Sequence, residues 1–414
     1  MFSFLHAADI HLDSPLRGLE TYDDAPVEQI RTASRRAFDN LVDLALEQEV
    51  DFVLLAGDLY DGDWRDYNTG LYFINRMGRL RENNIQAFLV SGNHDAASQI
   101  TKALHLPGNV YHFSHHRPET RVLESLGVAI HGQSFSSRSV ADNLARQYPE
   151  AIPGLFNIGL LHTSLTGRTG HASYAPCQLE DLLAKGYGYW ALGHVHQREQ
   201  VHQEPWIIFP GNIQGRHVRE TGAKGCTLVQ VEAGVVCQVE HVDLDVLRFS
   251  LCVVDLTPCT TFDDVRQEIH AGLHQERQSA QGRPVAVRLV LQGVTRLHST
   301  LCIQSHLIHE EVRAMAADWG DVWLEKVVVE TALPQEQLFS PALPDLFEAI
   351  ENLNFDEQTW QEILPEFEAL RSKLPAKLME QDNLFQPQAH DLRHLGQAVR
   401  NLLMARLLGE HHEN

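Results

Sequence analysis

Five short apolar runs in the first half of the chain each stop at a polar group, and this arrangement limits the fold more than any other feature. They are FSFLHAADIH (residues 2–11), VDFVLLAGDLYD (50–61), IQAFLVSGNHD (85–95), FNIGLLHTS (156–164) and YGYWALGHVH (187–196). Nearly unbroken apolar runs of this length mark strands buried on both faces of a sheet. Between the first two, Ala33, Ala37, Phe38, Leu41, Leu44 and Ala45 recur at helical spacing, and Tyr72, Phe73, Met77 and Leu80 do the same before the third. The pattern is β-α-β-α-β, which calls for an α/β sheet with helices outside it.

Residues 205–215 and 225–244 read as further strands that complete this core. From about Leu247 the texture changes to strand, helix, strand, helix, strand (248–256, 261–278, 284–294, 303–319 and 322–332), a βαβαβ unit of its own. After Pro334 the strands stop and helices broken by prolines follow, with six basic and fourteen acidic residues from Gln335 on. The expected organisation is a core over 1–246, a capping domain over 247–333 and a helical C-terminal region over 334–414.

In an α/β sheet, sites form where loops leave the carboxyl ends of strands. The polar groups at those ends are Asp9 and His11, Asp58, Asn93 and His94, His162, and His194 with His196. A lone aspartate after a strand is usually a cap, and a lone histidine is usually satisfied in the core. The ordered set is different: with His94 set apart, two carboxylates, an amide and four imidazoles form the ligand inventory of a dinuclear site. Carboxylate and imidazole without thiolate suit manganese, iron or zinc. A bridging carboxylate such as Asp58 would hold two ions about 3.5 to 4 Å apart. Gly57, Gly92 and Gly193 each precede a proposed ligand, where the absence of a side chain lets the backbone approach an ion.

The series D-x-H, G-D-x-x-D, G-N-H-D, a lone histidine and G-H-x-H resembles that of the calcineurin-like metallophosphoesterases. The opening FLHAADIHLDSPL and the later FPGNIQGRHVRETGAKGCTLVQV are similar to those of the bacterial SbcD-type DNA repair exonucleases, in particular their YhaO-like branch. The resemblance covers about residues 1–242 and implies a four-layer sandwich of two mixed sheets flanked by helices, then a small α/β cap and a helical tail. It assigns Asp9, His11, Asp58 and His196 to one metal ion, and Asp58, Asn93, His162 and His194 to the other. It also implies that a hydroxide activated by the two metals attacks phosphorus, with His94 as the acid and Asp95 orienting that ring. Asp61 stands where some nuclease relatives carry a histidine and enters as a substrate-side residue. Arg17, Arg65, Arg168 and Arg216 lie in loops after the strands, where they could meet a phosphate backbone.

Charge bears on partners. Lys+Arg 33 against Asp+Glu 55 gives a net charge of −22, which opposes nonspecific attraction to DNA or anionic membranes. A DNA role therefore needs positive charge from the metals, from a few arginines or from another subunit. Exonucleases of the resembling type dock an SMC-like (SbcC-like) ABC ATPase through C-terminal helices, and the tail stripe Leu395, Val399, Leu402, Leu403 and Leu407 fits such docking or internal packing; a homodimer is also compatible. The six cysteines include no C-x-x-C pair, and no apolar run reaches a membrane span, so a reduced, soluble, cytoplasmic protein is expected. The favoured reading is a manganese-dependent DNA nuclease. The alternatives are a phosphodiesterase or phosphatase on small substrates, which the acidic charge favours, and a non-catalytic scaffold, which would not need the full ligand set. Residues 111–117, YHFSHHR, are expected to be a surface loop; His171 and His217 stay open between cleft and surface.

Overall fold

The computed structural model describes residues 1–14, 32–61, 67–97, 105–165 and 174–334, with the isolated positions 349, 350, 353, 396, 399, 400 and 403. The described residues up to Arg248 form one compact unit and those from Phe249 a second.

The first unit holds two six-stranded sheets. In one, β1 (Phe2–Ala7), β2 (Phe52–Ala56), β3 (Gln86–Val90) and β4 (Val110–His112) run parallel, and β11 (Gly225–Glu232) and β12 (Val235–Asp243) continue it antiparallel beyond β1. In the other, β6 (Val128–Gly132), β7 (Phe156–His162), β8 (Tyr189–Gly193) and β10 (Trp206–Phe209) run parallel, edged by antiparallel β5 (Glu119–Leu123) and β9 (Glu199–Gln203). Both sheets are mixed.

One face of each sheet meets the other. Phe4, Phe52, Phe88, Ile158, Leu160, Tyr189 and Val229 share that inner core, and the Phe4 and Phe52 rings stack with centroids 5.0 Å apart. The opposite face of the first sheet is covered by helices Ala33–Glu47 and Tyr67–Glu82, through a stripe that includes Ala37, Phe38, Leu41, Phe73 and Met77. The outer face of the second, with Trp190, Leu192 and Ile207, is covered by short segments such as helix Leu179–Leu183. Strands buried on both sides explain the unbroken apolar runs. This is the α/β sandwich of two mixed sheets flanked by helices.

Four strands escape sequence reading: β4, β5, β6 and β9. Three are sheet edges with polar, partly exposed residues, so they lack a two-sided apolar signal. The stretch 111–117, expected as a loop, begins inside β4, where His112 Nε2 lies 2.8 Å from Ser91 Oγ.

The second unit contains β13 (Arg248–Asp255), β14 (Val285–Val294) and β15 (Val322–Ala332) in that order, with β14 and β15 parallel. Helix Phe262–Ser279 starts from a capping box between Thr261 and Asp264. The second expected helix, 303–319, is found as Ser305–Ala317, and a short helix that the sequence reading did not include, His298–Ile303, precedes it, with Gln304 (φ −97°, ψ 20°) out of helical geometry between them. The helical region expected after residue 334 lies outside the described residues apart from the isolated positions.

Candidate metal centre

The parallel strands of both sheets point their carboxyl ends toward one rim. Asp9 and His11 follow β1, Asp58 follows β2, and Asn93 and His94 follow β3; from the other sheet, His162 ends β7, and His194 and His196 follow β8. Ligand atoms of Asp9, His11 and His196 come within 4.8 Å of one another, as do those of Asp9, Asp58 and His162, and those of His11, Asp58 and His94. Asn93 Oδ1 lies 3.1 Å from His162 Nε2, and the His162 and His194 rings are 5.2 Å apart.

The local backbone is bent to allow this. Asp9, His11, Asp58 and His194 have φ of 51°, 45°, 51° and 106°, a region that residues with a Cβ seldom occupy. Each such residue costs on the order of 1–3 kcal/mol and persists only where its surroundings hold it. Here the Asp9 amide donates to Gly57 O at 3.0 Å and the His11 amide to Asp58 O at 2.9 Å. Space is equally tight. A Cβ on Gly92 would sit 2.3 Å from Asp58 Oδ1, and one on Gly193 would sit 1.8 Å from Ala56 O.

The donor set fits divalent cations. His162 Nδ1 donates to Ala56 O at 2.9 Å, so Nε2 keeps its lone pair, yet it faces Asn93 Oδ1 at 3.1 Å and Asp58 Oδ2 at 3.6 Å. Three acceptors converging without a hydrogen between them is the arrangement a cation resolves. Burial, reinforced by the charge of Asp58, pushes the Asp9 carboxyl well up, and burial holds His11 and His162 below the usual imidazole range. Neutral imidazoles beside crowded carboxylates are ready for a metal.

His94 stands at the rim, its side chain 29% exposed against 0% for His162. Its Nδ1 lies 2.8 Å from Asp61 Oδ1, and that bond raises its pKa. Asp61 is held at about 2: burial would raise it, but the bonds from His94 and Ser14 and the charge of Arg216 outweigh burial. Asp95, expected to orient the His94 ring, accepts instead from the amides of Leu59, Tyr60 and Gly92 at 3.1, 2.9 and 3.1 Å, clamping the loops after β2 and β3. The carboxylate against the ring is Asp61.

Of the four arginines expected to face substrate, Arg216 is described and lies in the cluster, with Nη2 3.3 Å from His196 Nδ1 and Nη1 4.0 Å from Asp61 Oδ2. Arg17, Arg65 and Arg168 lie outside the described residues, as does His171. His217 is beside the cluster, its Nε2 3.6 Å from Glu220 Oε1. Sequence reading passes over Glu220, which is buried and takes the His196 Nδ1 hydrogen at 2.6 Å. Its signal was slight: it is the lone carboxylate between Glu204 and Glu232.

Comparison with known proteins agrees with this geometry. The family model "Calcineurin-like phosphoesterase" matches residues 2–198, and "Metallophosphoesterase YhaO, middle domain" matches 249–332. The chain is 37% identical over 295 residues to the uncharacterized metallophosphoesterase YhaO of Bacillus subtilis (strain 168), covering 70% of this chain and 72% of that protein. It is 27% identical over 303 residues to the DNA double-strand break repair protein Mre11 of Methanopyrus kandleri, covering 64% of this chain and 62% of that one. A solved structure, TT1561 of Thermus thermophilus, aligns with a TM-score of 0.34 and 12% identity over 59% of this chain and 99% of that one, a likeness too loose to bear on fold or function. With a relative this similar over most of both lengths, and the ligand series converging at one rim, the chain belongs to the calcineurin-like metallophosphoesterases.

Proposed function

We propose that this phosphoesterase hydrolyses DNA phosphodiester bonds, with Asp9, His11, Asp58 and His196 holding one divalent cation and Asp58, Asn93, His162 and His194 the other. When bound, such a pair of ions supplies positive charge to the phosphoryl oxygens and lowers the pKa of a water toward neutrality. The rest of the chemistry belongs to side chains. His94, protonated with Nδ1 held by Asp61, donates from its other nitrogen to the leaving oxygen, a contribution of roughly 10²- to 10⁴-fold. The Asp95 carboxylate fixes the two loops that carry Asp58, Asn93 and His94. Arg216 meets a non-bridging phosphate oxygen.

The observation that carries this reading is the His94–Asp61 pair at the solvent side of a buried ligand cluster, where a leaving group can arrive. DNA as substrate is supported by the similarity to proteins named for double-strand break repair. The net charge of −22 favours a small phosphodiester as the second reading, and under the first it calls for a basic partner, an SMC-like ABC ATPase subunit. Manganese suits the mixed imidazole and carboxylate donors. The six free cysteines suit a reducing cytoplasm, and among the described residues no helix is long and apolar enough to cross a membrane.

The test uses purified protein with Mn²⁺ on a generic phosphodiester and on labelled single- and double-stranded DNA, beside His94→Ala and Asp58→Ala. DNA cleavage lost in both variants is the expected result. Cleavage of the small ester with none of DNA, even with the ATPase present, would transfer the assignment to the second reading.

A further inference from the structure

We infer that Glu220 is the positioning residue that makes His196 a metal ligand, and that the cation held by Asp9, His11, Asp58 and His196 depends on it while the other cation does not. The inference rests on the two-ion reading above and adds an asymmetry to it.

Glu220 sits in the loop between β10 and β11 and is 8% exposed. Its two oxygens have separate duties. Oε2 accepts from Asn212 Nδ2 at 2.8 Å and from the Arg216 amide at 2.8 Å, and Asn212 is itself fully buried. Oε1 is aimed at His196 Nδ1, 2.6 Å away, and also accepts from Arg216 Nη2 at 3.4 Å. A carboxylate accepts and cannot donate, so Nδ1 carries a proton, and in the neutral imidazole that binds a cation the lone pair is on Nε2. That Nε2 faces the cluster, 3.3 Å from His11 Nε2 and 4.0 Å from Asp9 Oδ1. Lys224 Nζ fixes the same residue from behind, donating to His196 O at 3.0 Å. Arg216 Nη2 also approaches His196 Nδ1, at 3.3 Å, but the shorter Glu220 contact sets the tautomer.

His162, on the other side of the cluster, has its Nδ1 held by the neutral carbonyl of Ala56. A carboxylate partner both orients an imidazole and makes its free nitrogen a stronger donor than a carbonyl partner does. The two ions are therefore supported unequally. Glu220→Gln exposes this without changing shape. The Asn212 and Arg216 donors demand an oxygen at the Oε2 position, which forces the new amide NH₂ to face His196 Nδ1. It would donate there, giving up the longer Arg216 Nη2 contact at that position while Nη2 keeps its approach to Nδ1, and move the imidazole proton to Nε2, where it blocks a metal.

Mn²⁺ titration by calorimetry, on full-length wild type and Glu220→Gln without substrate, tests this. Wild type should take up two ions, and the variant should bind one of them about 10- to 100-fold more weakly with the other unchanged. Two ions bound by the variant with wild-type affinities, or both weakened alike, would overturn the inference and leave the functional reading standing. Fewer than two ions in wild type would overturn both. Should the variant not fold, metal-free wild type labelled with ¹⁵N-histidine decides: long-range ¹⁵N–¹H correlations, with His196→Gln identifying the signal, should show the Nδ1–H form, and an Nε2–H form overturns it.

Discussion

His94 and Asp61, separated by 33 positions in the chain, meet through a 2.8 Å contact between Nδ1 and Oδ1, and Ser14 Oγ donates to the other Asp61 oxygen at 2.8 Å. The pair leaves one face of the imidazole to solvent and ties the other to a carboxylate that stays ionised. Asp61 thereby keeps His94 protonated to higher pH than an ordinary histidine. If protonated His94 is the acid, activity is lost as pH rises through its pKa. Asp61→Asn removes the largest cause of the raised value, so the alkaline limb of the kcat profile should move to lower pH. His94→Gln should lower kcat by roughly 10²- to 10⁴-fold with Mn²⁺ uptake unchanged. An Asp61→Asn profile that superposes on wild type would remove Asp61 from this role.

Cation binding should also stabilise the fold, because the ligands converge only in the folded state. At a Mn²⁺ concentration about 100 times its dissociation constant the gain is roughly 2.7 kcal/mol, readable as a rise in Tm that EDTA reverses. Gly92→Ala should abolish the rise, since the new Cβ would stand 2.3 Å from Asp58 Oδ1 and displace the carboxylate shared by both proposed ions. The same Mn²⁺-dependent rise in this variant would show that Asp58 is not a ligand.

Much of this candidate centre is legible in the sequence because each proposed ligand lies at the end of a largely buried strand or within four residues of it. Asp9, Asp58, Asn93 and His194 each close an apolar run, so the local signal and the three-dimensional position coincide. The His94–Asp61 pairing is not legible in this way, since both residues look like turn residues and only the packing of the loops after β2 and β3 joins them. Asp95 misleads for the same reason: adjacency to His94 suggests a partner, whereas its position at the start of helix Asn93–Ala97 turns its carboxylate toward backbone amides. Glu220 lies in a loop with no periodicity, and its burial is set by Asn212 and Arg216. Strand β6, buried along its whole length, is hidden by His131, a polar residue satisfied by Thr120 and Asn157.

His6, fully buried between the sheets, gives the fold a pH dependence of its own. Its Nε2 donates to Leu192 O at 3.1 Å, so Nδ1 accepts from the Tyr189 hydroxyl at 3.0 Å. Burial pushes its pKa down to about 3, with the Leu192 bond opposing. A depressed folded-state value means that the unfolded chain binds the extra proton first. The contribution is therefore complete above about pH 6.5 and is lost as pH falls toward 3, by about 1.4 kcal/mol per pH unit. Urea melts of wild type and His6→Gln at pH 7.5 and 4.5 should show wild type losing more stability between the two. Equal losses would mean that His6 does not titrate differently on folding.

Arg216 offers a test that separates substrate binding from metal binding by opposite signs. Its Nε is buried and has no hydrogen-bond partner among the described residues, although Nη2 reaches His196 and Glu220. A buried donor left in this state costs about 1–3 kcal/mol, and more where the group is charged, and a phosphate oxygen entering the cluster would satisfy it. Its positive charge, however, opposes cations at the same ligands. Arg216→Gln should thus leave Mn²⁺ affinity equal or higher while raising KM for a phosphodiester; hydrogen bonds to charged groups of about 1.5–3 kcal/mol correspond to roughly 10- to 150-fold. Arg216→Lys keeps the charge but not the planar fork, and should recover the metal affinity of wild type more fully than its KM. If metal and substrate affinity instead fell together in Arg216→Gln, the guanidinium would be a support for Glu220 and His196, and the phosphate contact would have to come from another residue.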